Sequence, residues 1–465
     1  MNPFQSSTAT SPPGGAGSSA GAGGNFRWAI CALLFFSVAL NYIDRNILAI
    51  LKPHLCEELG WSENDYGTIA AGFSFAYACG YLLGGRLIQR VGVRRGLPAF
   101  VFFWSLAAMA HSLCGFIPAE IVFRLGTFAI PATALGFCCA RIALGLTQGG
   151  NIPAAIKAVA EWFPQKERAF ATGLLSTGMS AGAVVCSAGA PWLLRHVGWE
   201  STFHITGGLG FVWLAAWWFL YEAPEKSRRV SAGELAHIQG GRPASAPAGA
   251  VAGAAGPKAT MPRGRLLGNR AVWAYVIACV LAGPVWLIYQ FFLPDFLHKR
   301  FNLQLQETGA WTGVFYVLAG AGGVFFGWLA GKLFERGRTI NAARKIALVI
   351  CAVSAVPVVF APCVSAVWLA VLIVGVAGAA HQGWTANLFS FVSDTMPKNA
   401  VSVVIGLGGF AAHFTAGLVA KATGWILQET GSYTYVFAWA SLMYVLSLLA
   451  IHLLVPRIPQ SPGKG

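Results

Sequence analysis

The chain has 465 residues, of which 32 are Lys or Arg and 17 are Asp or Glu, so charged residues make up 11% where soluble domains have about 25%. Hydrophobic residues make up 56%, which excludes a water-soluble globule and a disordered chain; 56 Gly and 10 Cys are too few for a collagen or a small disulfide scaffold. The formal net charge is +15, and in a membrane protein the distribution of Lys and Arg between the two sides of the membrane indicates its orientation.

Apolar windows long enough to cross a bilayer core of about 30 Å as helices follow one another along the chain. The fourth of them is expected to continue as an amphipathic extension through Trp162. We predict twelve spans, at residues 28–50, 65–88, 96–116, 128–150, 168–194, 201–221, 270–297, 306–334, 343–363, 366–392, 400–427 and 432–455.

Composition shifts divide the chain around these spans. Residues 1–27 are rich in Ser and Gly and predict a disordered tail, and residues 457–465 predict a second short tail. Residues 222–269 contain the run GGRPASAPAGAVAGAAGPKAT and predict a flexible linker between six-helix bundles at 28–221 and 270–456. Most Lys and Arg lie on the same side of the membrane as the two tails and the linker. We therefore expect a multi-pass protein of the inner membrane with both termini, both tails and the linker in the cytoplasm.

Two loops on that side resemble each other. Gly85-Arg-Leu-Ile-Gln-Arg90 follows the second span, and Gly331-Lys-Leu-Phe-Glu-Arg336 follows the eighth. Short cytoplasmic loops are often rich in Gly and Arg, but register, length and position agree here. The sequence therefore predicts an all-α membrane protein whose two six-helix bundles are parallel repeats.

Three ionisable side chains stand out inside predicted spans, where insertion costs at least about 2.5–3.5 kcal/mol: Asp44, Arg45 and Arg141. One acid against two bases leaves a positive charge near the midplane, which a carboxylate-bearing solute would neutralise. Consecutive helical residues diverge by about 100°, so Asp44 and Arg45 must face different partners. The alternative is that Asp44 pairs with Arg141 and locks two helices together.

Neutral polar and aromatic side chains at similar depth supply donors and acceptors for a hydroxylated solute. Each could instead join helices, an interaction worth about 0.6 kcal/mol on average; an interhelical hydrogen bond is the alternative for His381, and packing is the alternative for Trp384. The predicted substrate contacts in this group are Tyr42, Tyr77, Gln148, His381, Gln382, Trp384, Asn387 and His413.

Neither a metal-ligand cluster nor a nucleophile-base set is visible in the sequence. We therefore expect no enzymatic activity, no catalytic residues, no metal and no cofactor. The expected partners are a small organic anion and the lipid bilayer, without nucleic acid, for a monomeric protein.

The quoted segments also carry a resemblance. Tyr42-Ile-Asp44-Arg45, the run from Asn151 to Pro164, and Ala380-His-Gln-Gly-Trp-Thr-Ala-Asn387 resemble the hexuronate transporters in the anion:cation symporter branch of the major facilitator superfamily. The resemblance implies import of glucuronate or galacturonate with protons by alternating access. It further implies that Arg45 and Arg141 surround the carboxylate, that Asp44 takes part in proton coupling, and that Tyr42, Tyr77, Trp384 and Asn387 contact the sugar. The loop residues Gly85, Gln89, Arg90, Gly92 and Arg94 occupy the positions of the conformational motif of the superfamily.

Two positions depart from the family pattern. Gln148 stands where this branch usually has a Glu that binds a coupling proton, so we expect fewer protons per substrate or an uncoupled uniporter. Gln89 replaces the usual Asp of the loop motif, which predicts a shift of the resting population toward the inward-open state. The open alternatives are the same fold carrying an aldonate, an aldarate or an aromatic carboxylate, and a non-transporting membrane sensor.

Overall fold

The computed structural model describes residues 24–118, 120–125, 128–240, 268–336, 339–396 and 398–456. Residues 1–23 of the predicted tail at 1–27 lie outside the described residues. The predicted tail at 457–465 and residues 241–267 of the predicted linker also lie outside them. Within the described ranges the molecule is almost entirely helical, as the sequence predicted.

The first half contains six helices. They are α1 (Phe26–Leu59), α2 (Glu63–Val91), α3 (Val93–Ala110), α4 (Ala132–Gln148), α5 (Asn151–Trp162) and α6 (Gln165–Leu220). A 3-10 helix, His111–Phe116, prolongs α3. Local sequence fixes the turn from α1 to α2, because Gly60 ends α1 in the left-handed conformation and Ser62 forms a capping box with Asp65 at the start of α2.

A short helix, α7 (Ala232–Gly240), lies in the described part of the predicted linker. The second half then contains α8 (Arg270–Phe301), α9 (Leu305–Glu335), α10 (Ile340–Ala355), α11 (Val367–Thr395), α12 (Lys398–Thr430) and α13 (Thr434–Leu454). A 3-10 helix, Val356–Cys363, prolongs α10.

Ten helices in the described residues are long and apolar enough to cross a membrane. Two local features account for the difference from the twelve predicted spans. The fourth span is divided between α4, with 17 residues, and α5, with 12 residues, while the fifth and sixth spans run together as α6. Within α6, Gly198 has φ 80° and ψ 168°, a backbone conformation that favours glycine and turns the chain between two helical rods.

The predicted start of the fourth span at residue 128 is wrong. Residues Val122–Leu125 form strand β1 and Phe128–Pro131 form strand β2, which pair antiparallel with Val122 opposite Pro131. The helix begins only at Ala132, directly after Pro131. Hydropathy cannot separate a short apolar strand from the first turn of an apolar helix, and for this reason it misplaces the boundary.

We call the end of the bundle that carries Phe26, Leu454 and α7 the linker end, and the opposite end the far end. At the far end the two halves are joined, because α2 packs against α12, α6 packs against α9, and α1 packs against α8. A Cβ atom on Gly67 of α2 would lie 2.9 Å from the Cα atom of Gly424 of α12. Only glycine permits this approach of the two backbones.

Polar contacts accompany this packing at the far end. The Lys421 Nζ atom donates to Asn64 Oδ1 and to Thr68 Oγ1, each at 2.7 Å, and the Tyr66 hydroxyl donates to the carbonyl oxygen of Phe291 at 2.7 Å. Each of these bonds joins the first half to the second. The bundle is therefore sealed between its halves at the far end.

Candidate functional site

A cavity of about 290 Å³ lies between the two halves. Its lining comes from α1, α2, α5 and α6 of the first half and from α8, α9, α11 and α12 of the second. These residues belong to the middle and the linker-end portion of their helices, on the linker side of the far-end contacts. The lining includes Tyr42, Arg45, Tyr77, Tyr81, Ser180, Tyr275, Trp286, Tyr316, His381, Gln382, Trp384, Thr385 and His413.

Arg45 is the only Lys, Arg, Asp or Glu among the described residues that line the cavity. Its guanidinium carbon lies 4.3 Å from the ring centre of Tyr77 and 4.8 Å from that of Tyr42, and both contacts are of the cation-π type. The Nη2 atom donates to Asn41 Oδ1 at 3.1 Å. A buried cation held by aromatic rings and an amide is suited to binding an anion.

Gln148 lies directly behind this cation. Its Oε1 accepts from Arg45 Nε at 3.4 Å, and its Nε2 donates to the carbonyl oxygen of Asn41 at 3.1 Å. The side chain is fully buried. Gln148 therefore orients Arg45 through a neutral amide and leaves its charge available to a ligand.

Asp44 and Arg141 do not line the cavity. Arg141 Nη1 donates to the carbonyl oxygen of Arg45 at 3.0 Å and to that of Asp44 at 3.5 Å. Its Nε and Nη2 atoms and the Asp44 Oδ1 atom are buried without a hydrogen-bond partner among the described residues. Consecutive residues of α1 thus face different surroundings, as the helical geometry predicted, but only Arg45 faces the cavity.

On the wall formed by the second half, His381 and Trp286 stack with ring centres 5.2 Å apart and planes at 18°. The Nδ1 atom of His381 contacts the Tyr444 hydroxyl at 2.7 Å, and Nε2 contacts Thr385 Oγ1 at 3.3 Å. His381 therefore makes an interhelical hydrogen bond and also faces the cavity. The two roles considered for His381 from the sequence, a substrate contact and an interhelical hydrogen bond, are therefore compatible.

The remaining predicted contacts divide between the cavity and its surroundings. Gln382 and Trp384 line the cavity, and the indole nitrogen of Trp384 is buried without a partner in the described part of the chain. His413 lies with its ring centre 4.5 Å from that of Tyr77. Asn387 does not line the cavity: it donates to Gly383 and accepts from Arg344 at 3.5 Å.

The loop-motif residues lie at the linker end, away from the cavity. Gln89 and Arg90 are exposed, and Gly92 has φ 81° at the turn between α2 and α3; Gly85 precedes them on α2. Arg94 Nη2 lies 3.5 Å from Glu222 Oε1 of the same half. The described contacts of this loop therefore stabilise the first half internally.

Several lining residues were not singled out from the sequence. Trp286 and Tyr316 come from α8 and α9, and the Tyr316 hydroxyl donates across the halves to Asn46 Oδ1 at 2.7 Å. In a chain with 17 Trp, 11 Tyr and 32 Phe, an aromatic residue inside a span is no signal by itself. The one signal in the sequence is Asn46 itself, a polar residue one position after Arg45, which needs a hydrogen-bond partner inside the bundle.

Comparisons with known proteins agree with this architecture. The model of the Major Facilitator Superfamily matches residues 34–420. A hexuronate transporter of Escherichia coli K12 is 28% identical over 435 residues, covering 93% of this chain and 95% of the relative. A probable galactarate/D-glucarate transporter of Bacillus subtilis strain 168 is 27% identical, with coverage of 93% and 92%. A D-galactonate transporter of Escherichia coli O6:H1 is 23% identical, with coverage of 93% and 96%.

Solved structures support the same fold. The inward open conformation of the xylose transporter XylE from Escherichia coli matches with a TM-score of 0.68 at 14% identity, covering 94% of this chain and 98% of that one. A bacterial homologue of the human lysosomal transporter Spinster, in an inward-facing and occupied conformation, matches with a TM-score of 0.65 at 16% identity, covering 95% and 100%.

Proposed function

Because this chain belongs to the Major Facilitator Superfamily, as its motifs predicted, we propose that it carries a sugar acid, such as glucuronate or galacturonate, across the inner membrane by alternating access. The observation that carries the proposal is Arg45, the one formal charge among the described residues that line the cavity between the halves. A buried arginine flanked by tyrosines and an amide suits a carboxylate attached to a hydroxylated body. The names of the three similar transporters, all of sugar acids, support the same substrate class.

The proposed orientation places the linker end in the cytoplasm. Positive residues concentrate there, and cytoplasmic loops carry an excess of Lys and Arg. In this orientation the far-end contacts close the cavity on the outer side, and the conformation is inward-facing. The basic residues at the linker end include Arg90, Arg94, Arg95, Lys157, Arg168, Arg229, Arg344 and Lys345.

We propose that Asp44 is the proton-coupling residue. It is a buried carboxylate adjacent in sequence to Arg45 and close to Arg141, with one oxygen that has no hydrogen-bond partner among the described residues. Binding of a substrate carboxylate at Arg45 changes the charge balance around Asp44, and this couples occupancy of the cavity to protonation.

An uncoupled uniporter is the second candidate, and Gln148 is the observation that favours it. Its amide contacts Arg45 at 3.4 Å, the position where an acid would compete with the substrate for the guanidinium. An amide is neutral at every pH and cannot release a proton when substrate binds.

The experiment is uptake of labelled galacturonate and glucuronate into proteoliposomes, with and without an inward proton gradient. Arg45→Ala is the test variant. Arg195→Ala, which removes an exposed arginine at the far end, is the matched control. We expect accumulation driven by the gradient in the wild type and in the control, and none in Arg45→Ala. Equilibration without accumulation would identify the uniporter, and binding without uptake would contradict transport.

A further inference from the structure

The charges around the cavity are distributed unequally between its two walls. Arg45 belongs to the first half, and the side chains of Asn41 and Gln148 that accept from its guanidinium are neutral amides. A ligand carboxylate at Arg45 would therefore meet a cation that is not already neutralised by those neighbours. The guanidinium of Arg45 therefore balances one negative charge on the ligand at this wall.

The wall of the second half offers neutral groups. Trp286 and His381 present stacked rings, and both nitrogens of His381 contact hydroxyl groups, those of Tyr444 and Thr385. Gln382 adds an uncharged amide to the same wall. A neutral hydroxylated body can stack and hydrogen-bond here without a charged partner.

His413 does not change this distribution. Although it belongs to the second half, its ring lies 4.5 Å from that of Tyr77, whose ring centre is 4.3 Å from the Arg45 guanidinium. It therefore lies beside the Arg45 site rather than across the cavity from it. A carboxylate at the other end of a ligand would lack a cation among the described lining residues, and burying an unpaired charge carries a large penalty.

We propose that this cavity selects sugar acids with a single carboxylate, bound by Arg45, and rejects aldarates of the same length. The Trp286–His381 face covers the uncharged end of the ligand. The inference rests on the proposed function and deepens it. The names of similar transporters leave the choice open, since they include carriers of hexuronate and galactonate, with one carboxylate, and of galactarate, with two.

Three matched ligands test the inference on the unaltered protein. D-Galacturonate, L-galactonate and galactarate share six carbons and, counted from the carboxylate, the configuration of their hydroxyl groups, because reduction of the aldehyde of galacturonate gives L-galactonate and its oxidation gives galactarate. Galacturonate has one carboxylate and closes into a ring, galactonate has one carboxylate on an open chain, and galactarate has two. We would measure the displacement of labelled galacturonate from the full-length protein in lipid nanodiscs at pH 7.5.

We expect galactonate to bind within a few-fold of galacturonate and galactarate to bind at least about tenfold more weakly, because its second carboxylate has no cation to pair with. Equal binding of galactarate would overturn the inference and leave a sugar-acid carrier standing. Binding of galactonate as weak as that of galactarate would also overturn it, since ring shape rather than charge would then decide. Specific binding of none of the three would contradict the proposed function itself.

A charge-adding variant provides an independent test. Gln382→Arg places a second cation on the wall of the second half, and Gln382→Met is the neutral control of similar length. We expect Gln382→Arg to raise the affinity for galactarate relative to galacturonate by about tenfold, whereas Gln382→Met leaves that ratio unchanged. An unchanged ratio in a folded Gln382→Arg protein would count against the inference.

Discussion

Lys52 of the first half lies 2.7 Å from Asp295 of the second half, and both side chains are buried, with 0% and 1% exposure. Lys52 also contacts Glu63 at 2.6 Å, and Lys299 contacts both Glu63 and Asp295. The Tyr433 hydroxyl donates to Asp295. Two acids and two bases thus form a compact network that joins the halves at the far end, and the cavity can open to that side only if the network separates.

Asp295→Asn is expected to weaken this seal. The substitution leaves Lys52 buried with fewer negative partners, and breaking a buried pair costs about 3–5 kcal/mol. We expect faster hydrogen exchange of the backbone around residues 60–67 and 421–431, and slower exchange around the cavity, because the population shifts toward a state open at the far end.

The double variant Lys52→Met with Asp295→Leu is the control for this prediction. It removes both charges and leaves Glu63 paired with Lys299, so it should keep the far end closed, because a packed apolar pair replaces a buried ion pair at little cost. If Asp295→Asn exchanged at the wild-type rate, the network would not hold the halves together.

Arg45 should require its guanidinium and not merely its charge. Arg45→Lys keeps a positive group but lacks the planar fork that reaches Asn41 and Gln148 while facing a carboxylate. We expect Arg45→Ala to weaken galacturonate binding by about thirtyfold or more, and Arg45→Lys to lie between it and the wild type. Equilibrium binding would measure the order, and wild-type affinity in Arg45→Lys would contradict the role of the fork.

The linker helix α7 is fastened to the first half by a charged cluster. Arg27 Nε lies 2.9 Å from Glu167 Oε2, and His237 Nε2 lies 2.8 Å from Glu167 Oε1. Glu234 is buried and accepts from the backbone nitrogen of Arg27 at 3.0 Å. Partial burial raises the pKa of Glu167, but the hydrogen bonds from His237 and Arg27 outweigh it and hold the pKa below its usual value.

Because the pKa of Glu167 is lower in the folded state, its contribution to docking of α7 is present above the unfolded value of about 4.3 and is lost as the pH falls through the folded pKa. Glu167→Gln should therefore increase hydrogen exchange of the backbone amides at 232–240 at pH 7, and wild-type protection there should decline only below about pH 4.3. Glu57→Gln, at an exposed site of the far end, is the control. Equal protection in Glu167→Gln and the wild type would show that the cluster does not fasten α7.

Much of the fold could be predicted from the sequence, because spans of a membrane protein must be long and apolar and their ends are marked by residues such as Gly60 and Gly198. The depth of a residue in the membrane could also be predicted, from its position along its span. The direction of a side chain around the helix axis could not be predicted, since large hydrophobic side chains occur both on the buried and on the exposed faces of these helices. For this reason Arg45 faces the cavity while Arg141, at similar depth, donates to backbone carbonyls, and Asn387 contacts Arg344.

Gln148→Glu would place a carboxylate next to Arg45 Nε, where the present amide oxygen lies 3.4 Å away. The new acid would pair with the guanidinium and compete with the substrate carboxylate, and it would add a group that can bind a proton. We expect weaker galacturonate binding at neutral pH, recovery of binding as the pH falls and the introduced carboxylate is protonated, and therefore a steeper dependence of uptake on pH than in the wild type. Gln148→Leu, which removes the amide without adding an acid, is the control and should weaken binding without changing the pH dependence. Uptake by Gln148→Glu with an unchanged pH profile would contradict the assignment of this position as the one that limits proton coupling.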